Sequence, residues 1–176
     1  MFFKFNKWFI IIRFTRKYFS IGSTLFLESI STFNLKTRQN ISKDIGFNIA
    51  FDSSGKLVEN IILAIKDLRN AIAHNNVIFD TRFKKRRISK TLQKVIVQET
   101  NVQSILFTSI TDYLILIIYI LKNLKKTNTE LSKLINDYLR LADELKSKVP
   151  QNIYDQIILT NDKNKLNDLK KFIKNK

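Results

Sequence analysis

The sequence predicts an all-α protein, a helical bundle, from its composition and from the spacing of its apolar residues. The 176 residues include only three glycines and one proline, so few positions break helices. Hydrophobic residues make up 44% of the chain, which is enough to form a core in a single domain. Apolar residues recur at intervals of three and four over several long stretches, as in helices that bury one side.

Three helices are expected in the first quarter of the chain. The first, over residues 3–18, has Phe and Ile around most of its circumference, a pattern typical of a helix that is buried or lies in an interface. Gly22 separates it from a second helix over residues 23–31. A third, more polar helix is expected over residues 36–44, with Gly46 as its C-terminal stop.

The next helix has the clearest boundaries in the sequence. The stretch Asp-Ser-Ser-Gly at residues 52–55 offers capping side chains for its start. Apolar residues then fall at helical spacing and form one stripe: Leu57, Val58, Ile61, Ile62, Ile65, Leu68 and Ile72. This helix is expected to end at Asn75 and Asn76.

The second half of the chain begins with a strongly basic connection over residues 81–98, which has no acidic residue. Its first half is expected to be a loop or short hairpin and its second half a short helix from Ser89. An apolar helix over residues 105–124 and an amphipathic helix from Asn128 to Lys146 follow. Because Pro150 interrupts the pattern, we divide the chain into a helical domain, residues 1–146, and a basic helical C-terminal tail with two short helices, residues 147–176.

Composition also limits the possible functions. Lys and Arg (31) outnumber Asp and Glu (15), giving a net charge of +16, which points to a polyanionic partner such as nucleic acid or an acidic membrane surface. There is no cysteine, so disulfides and thiolate zinc sites are excluded, and a reducing cytoplasm fits. With only one histidine, we expect neither a metal nor a cofactor.

Two apolar segments could suggest a membrane protein. Residues 1–19 carry five Lys or Arg residues and lack the apolar core and cleavage site of a signal peptide. Residues 102–121 approach the length of a membrane span, but their uninterrupted apolar run covers only residues 113–121, which is more typical of a buried core helix. We therefore expect no membrane partner, and peripheral attachment through the first helix is the last-ranked alternative.

One short motif combines the residues that RNA chemistry needs: Arg69, Asn70 and the only histidine, His74. An imidazole titrates near neutrality, at about 6.5, and a guanidinium matches the geometry of a phosphate. On a helix, residues five apart are separated by about 140°, whereas residues four apart share a face. Asn70 can therefore orient His74, and Arg69 must reach the same site around the helix end or from a second copy of the helix.

Metal-independent RNA cleavage requires three things: activation of the ribose 2′-hydroxyl, stabilisation of charge at phosphorus, and protonation of the leaving oxygen. His74 could move the protons and Arg69 could stabilise the charge. The 2′-hydroxyl nucleophile would restrict the reaction to RNA. On spacing alone, the alternative is that these residues are ordinary groups at the end of a helix.

The sequence LRNAIAHNNVIF over residues 68–79 resembles the R-N-x-x-x-H signature of the HEPN ribonuclease superfamily, most of all the bacterial abortive-infection (Abi) family of the AbiD/AbiF kind. The FSIGS sequence at residues 19–23 is similar to that family's helix entry, and the resemblance spans roughly residues 18 to 140. It implies a HEPN-like helical bundle and a homodimer formed through the motif helices. Arg69 and His74 would then be the catalytic pair, accompanied by Asn70.

The resemblance implies a metal-independent endoribonuclease toxin of a phage-defence abortive-infection or toxin–antitoxin system, held in check by a protein antitoxin or a small antitoxin RNA. The alternative is a catalytically inactive HEPN-type RNA-binding protein that acts in a ribonucleoprotein complex with a small RNA. RNA-backbone contacts are expected from one basic run, although such a run can also be a solvated loop: Arg82, Lys84, Lys85, Arg86 and Arg87. Asp112, among apolar neighbours, is expected to be hydrogen-bonded inside the bundle.

Overall fold

The computed structural model describes residues 34–44, 52, 54–73 and 89–175, and all regular secondary structure within these ranges is α-helical. The helices are α1 (Leu35–Asp44), α2 (Lys56–Ala73), α3 (Lys90–Thr100), α4 (Ile110–Asn123), α5 (Asn128–Lys146), α6 (Gln151–Ile157) and α7 (Asp162–Asn175). The predicted all-α fold is confirmed. The two helices expected over residues 3–18 and 23–31 lie outside the described residues.

Helix α4 forms the centre of the bundle. Eleven of its fourteen residues are buried, and it contacts α2, α3, α5 and α7. The segment therefore forms a core helix, as its short apolar run predicts. Among the described residues, no helix combines the length and the apolarity that crossing a membrane requires.

The start of α4 differs from the prediction, which placed an apolar helix over residues 105–124. The helix begins five residues later, at Ile110. Ser104 and Phe107 have left-handed backbones with φ of 60° and 54°, which cannot belong to a right-handed helix. The loop nevertheless buries the side chains of Ile105 and Phe107, so their apolar character reflects burial in a loop.

Helix α5 begins and packs as its sequence indicates. The Thr127 hydroxyl accepts the backbone N–H of Glu130 at 3.2 Å, and the Glu130 carboxylate accepts the backbone N–H of Thr127 at 3.1 Å. This reciprocal pair is a capping box. The hydrogen bond from the Thr127 backbone is the main reason why the pKa of Glu130 is lowered.

Helices α6 and α7 account for most of the C-terminal segment, residues 147–176. Pro150 lies immediately before α6, where its fixed φ suits a helix start. Helix α7 contacts α3, α4 and α5. It contributes four residues to the same hydrophobic core as α4: Leu166, Leu169, Phe172 and Ile173. The described part of this segment is therefore helical and shares its core with the preceding helices.

Candidate functional site

Helix α2 carries the first two residues of the R-N-x-x-x-H motif. It spans Lys56–Ala73, so the backbones of Arg69 and Asn70 are helical. His74 and the candidate RNA-binding residues lie outside the described residues: Arg82, Lys84, Lys85, Arg86 and Arg87. The structure thus determines how the motif helix is held, and the pairing of Arg69 with His74 stays a prediction.

The start of α2 is held by a buried carboxylate. Asp52 accepts the backbone N–H of Leu57 at 2.9 Å and that of Val58 at 3.3 Å, two of the N–H groups that a helix start leaves without partners. Its carboxylate also accepts the hydroxyl of Ser42, on α1, at 3.2 Å. The expected capping by the segment at residues 52–55 is confirmed, and the cap also ties α2 to α1.

A glycine allows α1 to approach the start of α2 closely. Gly55 has a φ of +65°, a conformation that side chains disfavour. A Cβ at this position would lie 2.6 Å from the Cβ of Arg38 on α1. One turn further along α2, Glu59 forms an ion pair with Arg38 at 3.5 Å. The glycine is therefore required both by its backbone conformation and by the contact with α1.

Helix α2 buries two adjacent sides. One joins the main core through five residues: Leu57, Ile61, Ala64, Ile65 and Leu68. The other places Val58 and Ile62 against Ile41 of α1. These two clusters contain six of the seven apolar residues of the predicted stripe, and the seventh, Ile72, lies in a turn whose side chains the structure leaves undescribed.

The helical register of α2 places Arg69 and Asn70 on different sides. Arg69 follows Ile62 by seven residues, so its Cα lies within about 20° of that position, on the side that faces α1. Asn70 follows Leu63 by seven residues and shares its side of the helix. At Leu63, which is 37% exposed, α2 faces solvent in the described structure.

A second polar group lies inside the bundle, and it includes Asp112, the aspartate predicted to be hydrogen-bonded there. Lys165 Nζ on α7 lies 2.7 Å from Oδ1 of Asp112 and 3.8 Å from Oδ1 of Asp162. Both carboxylates have no exposed surface, and Lys165 is 5% exposed. Asp112 also accepts the backbone N–H of Leu106 at 3.1 Å, which confirms that it is hydrogen-bonded within the bundle.

Further hydrogen bonds extend this ionic group to α5. Asp162 accepts the hydroxyl of Thr111 at 2.8 Å, the hydroxyl of Ser109 at 3.3 Å and the backbone N–H of Leu159 at 3.2 Å. Thr111 and Tyr138 hydroxyls lie 2.7 Å apart. Burial raises the pKa of Asp162 and that of Tyr138. Because these groups are sealed from solvent, they can join α4, α5 and α7 but cannot meet a substrate.

The burial of Lys165 and Asp162 could not be predicted from the sequence. They lie in a helix with several lysines, where a solvated position is the usual one for either residue. Asp112 was identifiable because its neighbours in the sequence are apolar. Its cationic partner, Lys165, lies 53 residues further along the chain, a contact that local sequence patterns cannot indicate.

The described residues contain no group of three or more His, Asp or Glu side chains placed to hold a metal ion. Comparisons with protein-family models, with curated proteins and with solved structures found no match to the chain. Its function is therefore argued from the motif and from the helix that carries it.

Proposed function

We propose that the protein is a metal-independent endoribonuclease that cleaves RNA at the R-N-x-x-x-H motif. The observation that supports this most is the placement of Arg69 and Asn70 in a helix held at its start by Asp52 and along its length by the core. The net charge of +16 suits an RNA substrate. The resemblance of the motif to HEPN abortive-infection proteins suggests a cytoplasmic toxin of phage defence, with a protein or small-RNA antitoxin.

In this proposal each motif residue has one task. His74 removes the proton from the ribose 2′-hydroxyl and returns a proton to the leaving 5′-oxygen. Arg69 donates to the phosphoryl oxygens, where negative charge develops. Asn70, four residues before His74, holds the imidazole in orientation. Because the nucleophile is the 2′-hydroxyl, the protein should leave DNA intact.

The direct test is cleavage of RNA by purified protein in the presence of EDTA. We expect His74→Ala to lower the rate by about 10²–10⁴-fold, the usual contribution of a positioned proton-transfer group. Arg69→Ala removes a donor to the developing charge and should lower the rate by about 10²–10³-fold. Lys163→Ala removes an exposed positive charge on α7, outside the motif helix, and serves as the control. Full activity of either motif variant would contradict the assignment.

The proposal includes a homodimer in which two motif helices meet, since helical spacing predicts that Asn70 shares a face with His74 whereas Arg69 and His74, five residues apart, do not share one. Leu63 shares its side with Asn70 and would be covered by the second copy. We expect Leu63→Glu to shift the protein to monomer in light scattering and to abolish cleavage. Leu124→Glu, at a leucine that is 46% exposed immediately after the end of α4, should change neither property. A dimer that persists in Leu63→Glu would place the interface elsewhere.

The second candidate is an RNA-binding protein that does not cleave, favoured by the excess of basic residues alone. It would act with a small RNA in a ribonucleoprotein complex. It predicts RNA binding that weakens with salt, is unchanged in His74→Ala and yields no cleavage product. The cleavage assay therefore separates the two candidates.

A further inference from the structure

An open groove of about 520 Å³ runs between the first half of α5 and the C-terminal end of α7. Seven of its eight lining residues have polar or charged side chains, and six of these are neutral or cationic: Asn128, Thr129, Ser132, Lys133, Asn136 and Lys174. From Asn128 to Asn136 the groove follows α5 for about 12 Å, at 1.5 Å per residue. It is therefore long enough to hold an extended ligand rather than a single ion.

The groove carries uncompensated positive charge. Within the described part of the chain, Lys133 and Lys174 form no ion pair, whereas nearby Lys126 and Lys171 are paired with carboxylates at 3.3 and 2.9 Å. One acidic residue, Asp137, lies on the lining, and Arg140 approaches it at 3.7 Å. The net effect is a cationic groove with neutral hydrogen-bonding groups between its charges.

The wall formed by α7 is fixed in place. Lys122 on α4 donates through Nζ to the backbone carbonyls of Phe172 and Ile173, and its ammonium lies 4.9 Å from the centre of the Phe172 ring. A cation at the C-terminal end of a helix also interacts favourably with the helix dipole. The last turn of α7, which carries Lys174, is thus held against α4, and the groove is preformed.

We propose that this groove binds the phosphodiester backbone of RNA, as a second contact surface on the substrate of the proposed endoribonuclease. Lys133 and Lys174 neutralise phosphates, and the amide and hydroxyl groups of the lining donate to phosphate or ribose oxygens. Such groups carry no base-specific pattern, so the groove binds RNA independently of its sequence. The inference rests on the proposed function.

The composition of the groove favours RNA over a protein segment. Protein interfaces are dominated by aromatic and apolar anchors that fill pockets. The one large apolar residue on the lining, Ile173, is 1% exposed and already packed in the core. A polyanion, in contrast, meets Lys133 and Lys174, which have no carboxylate partner among the described residues, and a row of hydrogen-bond donors.

The test measures affinity for a fluorescein-labelled oligouridine RNA over a series of KCl concentrations, in a His74→Ala background that prevents cleavage. Each phosphate contact on single-stranded RNA contributes about 0.7 to the slope of log affinity against log salt, or roughly fivefold in affinity at 0.1 M. Lys133→Gln with Lys174→Gln should therefore weaken binding by about 25-fold and flatten the slope by about 1.4. The control, Lys36→Gln with Lys163→Gln, removes the same charge from exposed lysines outside the groove.

The possible outcomes separate the inference from the proposed function. If the groove variant binds RNA as tightly as the control, with the same salt slope, the inference is wrong. A groove that binds an acidic protein segment instead of RNA would give this result. That result would leave the proposed endoribonuclease function in place, because cleavage is measured separately with protein that has an intact His74. If the groove variant loses binding but the protein with its motif intact never cleaves RNA, the inference holds and the enzymatic proposal fails. Unchanged far-UV circular dichroism in both variants excludes misfolding.

Discussion

Replacing the buried lysine of the ionic group should strongly destabilise the fold. Lys165→Met keeps a long apolar side chain but leaves Asp112 and Asp162 without their cation. At 2.7 and 3.8 Å, and with an effective dielectric constant near 20, the lost attraction amounts to about 6 and 4 kcal/mol. Several kcal/mol are recovered because a buried ammonium is no longer desolvated, so we expect a net loss of about 3–5 kcal/mol in the free energy of unfolding.

The assay is urea unfolding followed by far-UV circular dichroism at neutral and mildly acidic pH. Lys163→Met is the matched control, because Lys163 lies two residues earlier in α7, is exposed and should change stability by less than about 0.5 kcal/mol. The loss in Lys165→Met should shrink as the pH falls, since burial raises the pKa of Asp162 and its protonation removes one of the charges that lack a partner.

A double variant tests whether the pairing itself is responsible. Asp112→Asn keeps an acceptor for the backbone N–H of Leu106 and removes one of the two charges. Combined with Lys165→Met, it should recover part of the lost stability, so that the two changes are not additive. Additive losses, or a Lys165→Met protein as stable as the Lys163→Met control, would refute the proposed energetic role of the buried ion pair.

Four further predictions concern single sites. Gly55→Ala should cost about 1–3 kcal/mol in urea unfolding, because φ stays positive and the new Cβ meets Arg38; a neutral result would contradict the close approach. Asp52→Ala should cost about 1–2 kcal/mol by uncapping α2, and an unchanged midpoint would show that the cap is dispensable. Burial raises the folded-state pKa of Asp162, so its contribution to stability should increase as pH falls through that pKa, and Asp162→Asn should abolish this increase. Burial also raises the pKa of Tyr119 to about 12 and raises that of Tyr138, so ultraviolet titration should show at least two tyrosines ionising late, unless the fold opens first.

The local sequence was sufficient to predict the start of a helix where the capping residues lie next to the helix in the chain. Helix α5 begins at Asn128 because Thr127 and Glu130 satisfy each other's backbone N–H groups, and both lie next to the residues they cap. Helix α3 begins after Ser89, whose hydroxyl accepts the N–H of Thr91. The same holds for the start of α2, where Asp52 lies a few residues before the N–H groups that it binds.

The sequence was insufficient to predict loop structure and buried charges where these depend on contacts between distant segments of the chain. The loop before α4 has the apolar composition of a helix, and its irregular course depends on Asp112 binding the N–H of Leu106 and on the burial of Phe107. Lys165 is buried because α7 packs across α4, a contact between residues 53 apart in the chain. The candidate site could be predicted only in part. Helical spacing predicts the helix that carries Arg69 and Asn70, but no local pattern determines the position of His74 relative to them.

The core itself positions the proposed catalytic motif. Leu68 is 1% exposed and immediately precedes Arg69, so the backbone that carries the motif is set by packing against the main core. The start of α2, about 18 Å from Leu68 at 1.5 Å per residue, is fixed by Asp52 and by the contact of Gly55 with α1. The proposed reaction requires Arg69 to lie within about 1 Å of its productive position, and a helix fixed at its start and packed as far as Leu68 restricts where the backbone of Arg69 can lie. Changes at Leu68 should therefore lower cleavage without altering any residue that contacts RNA.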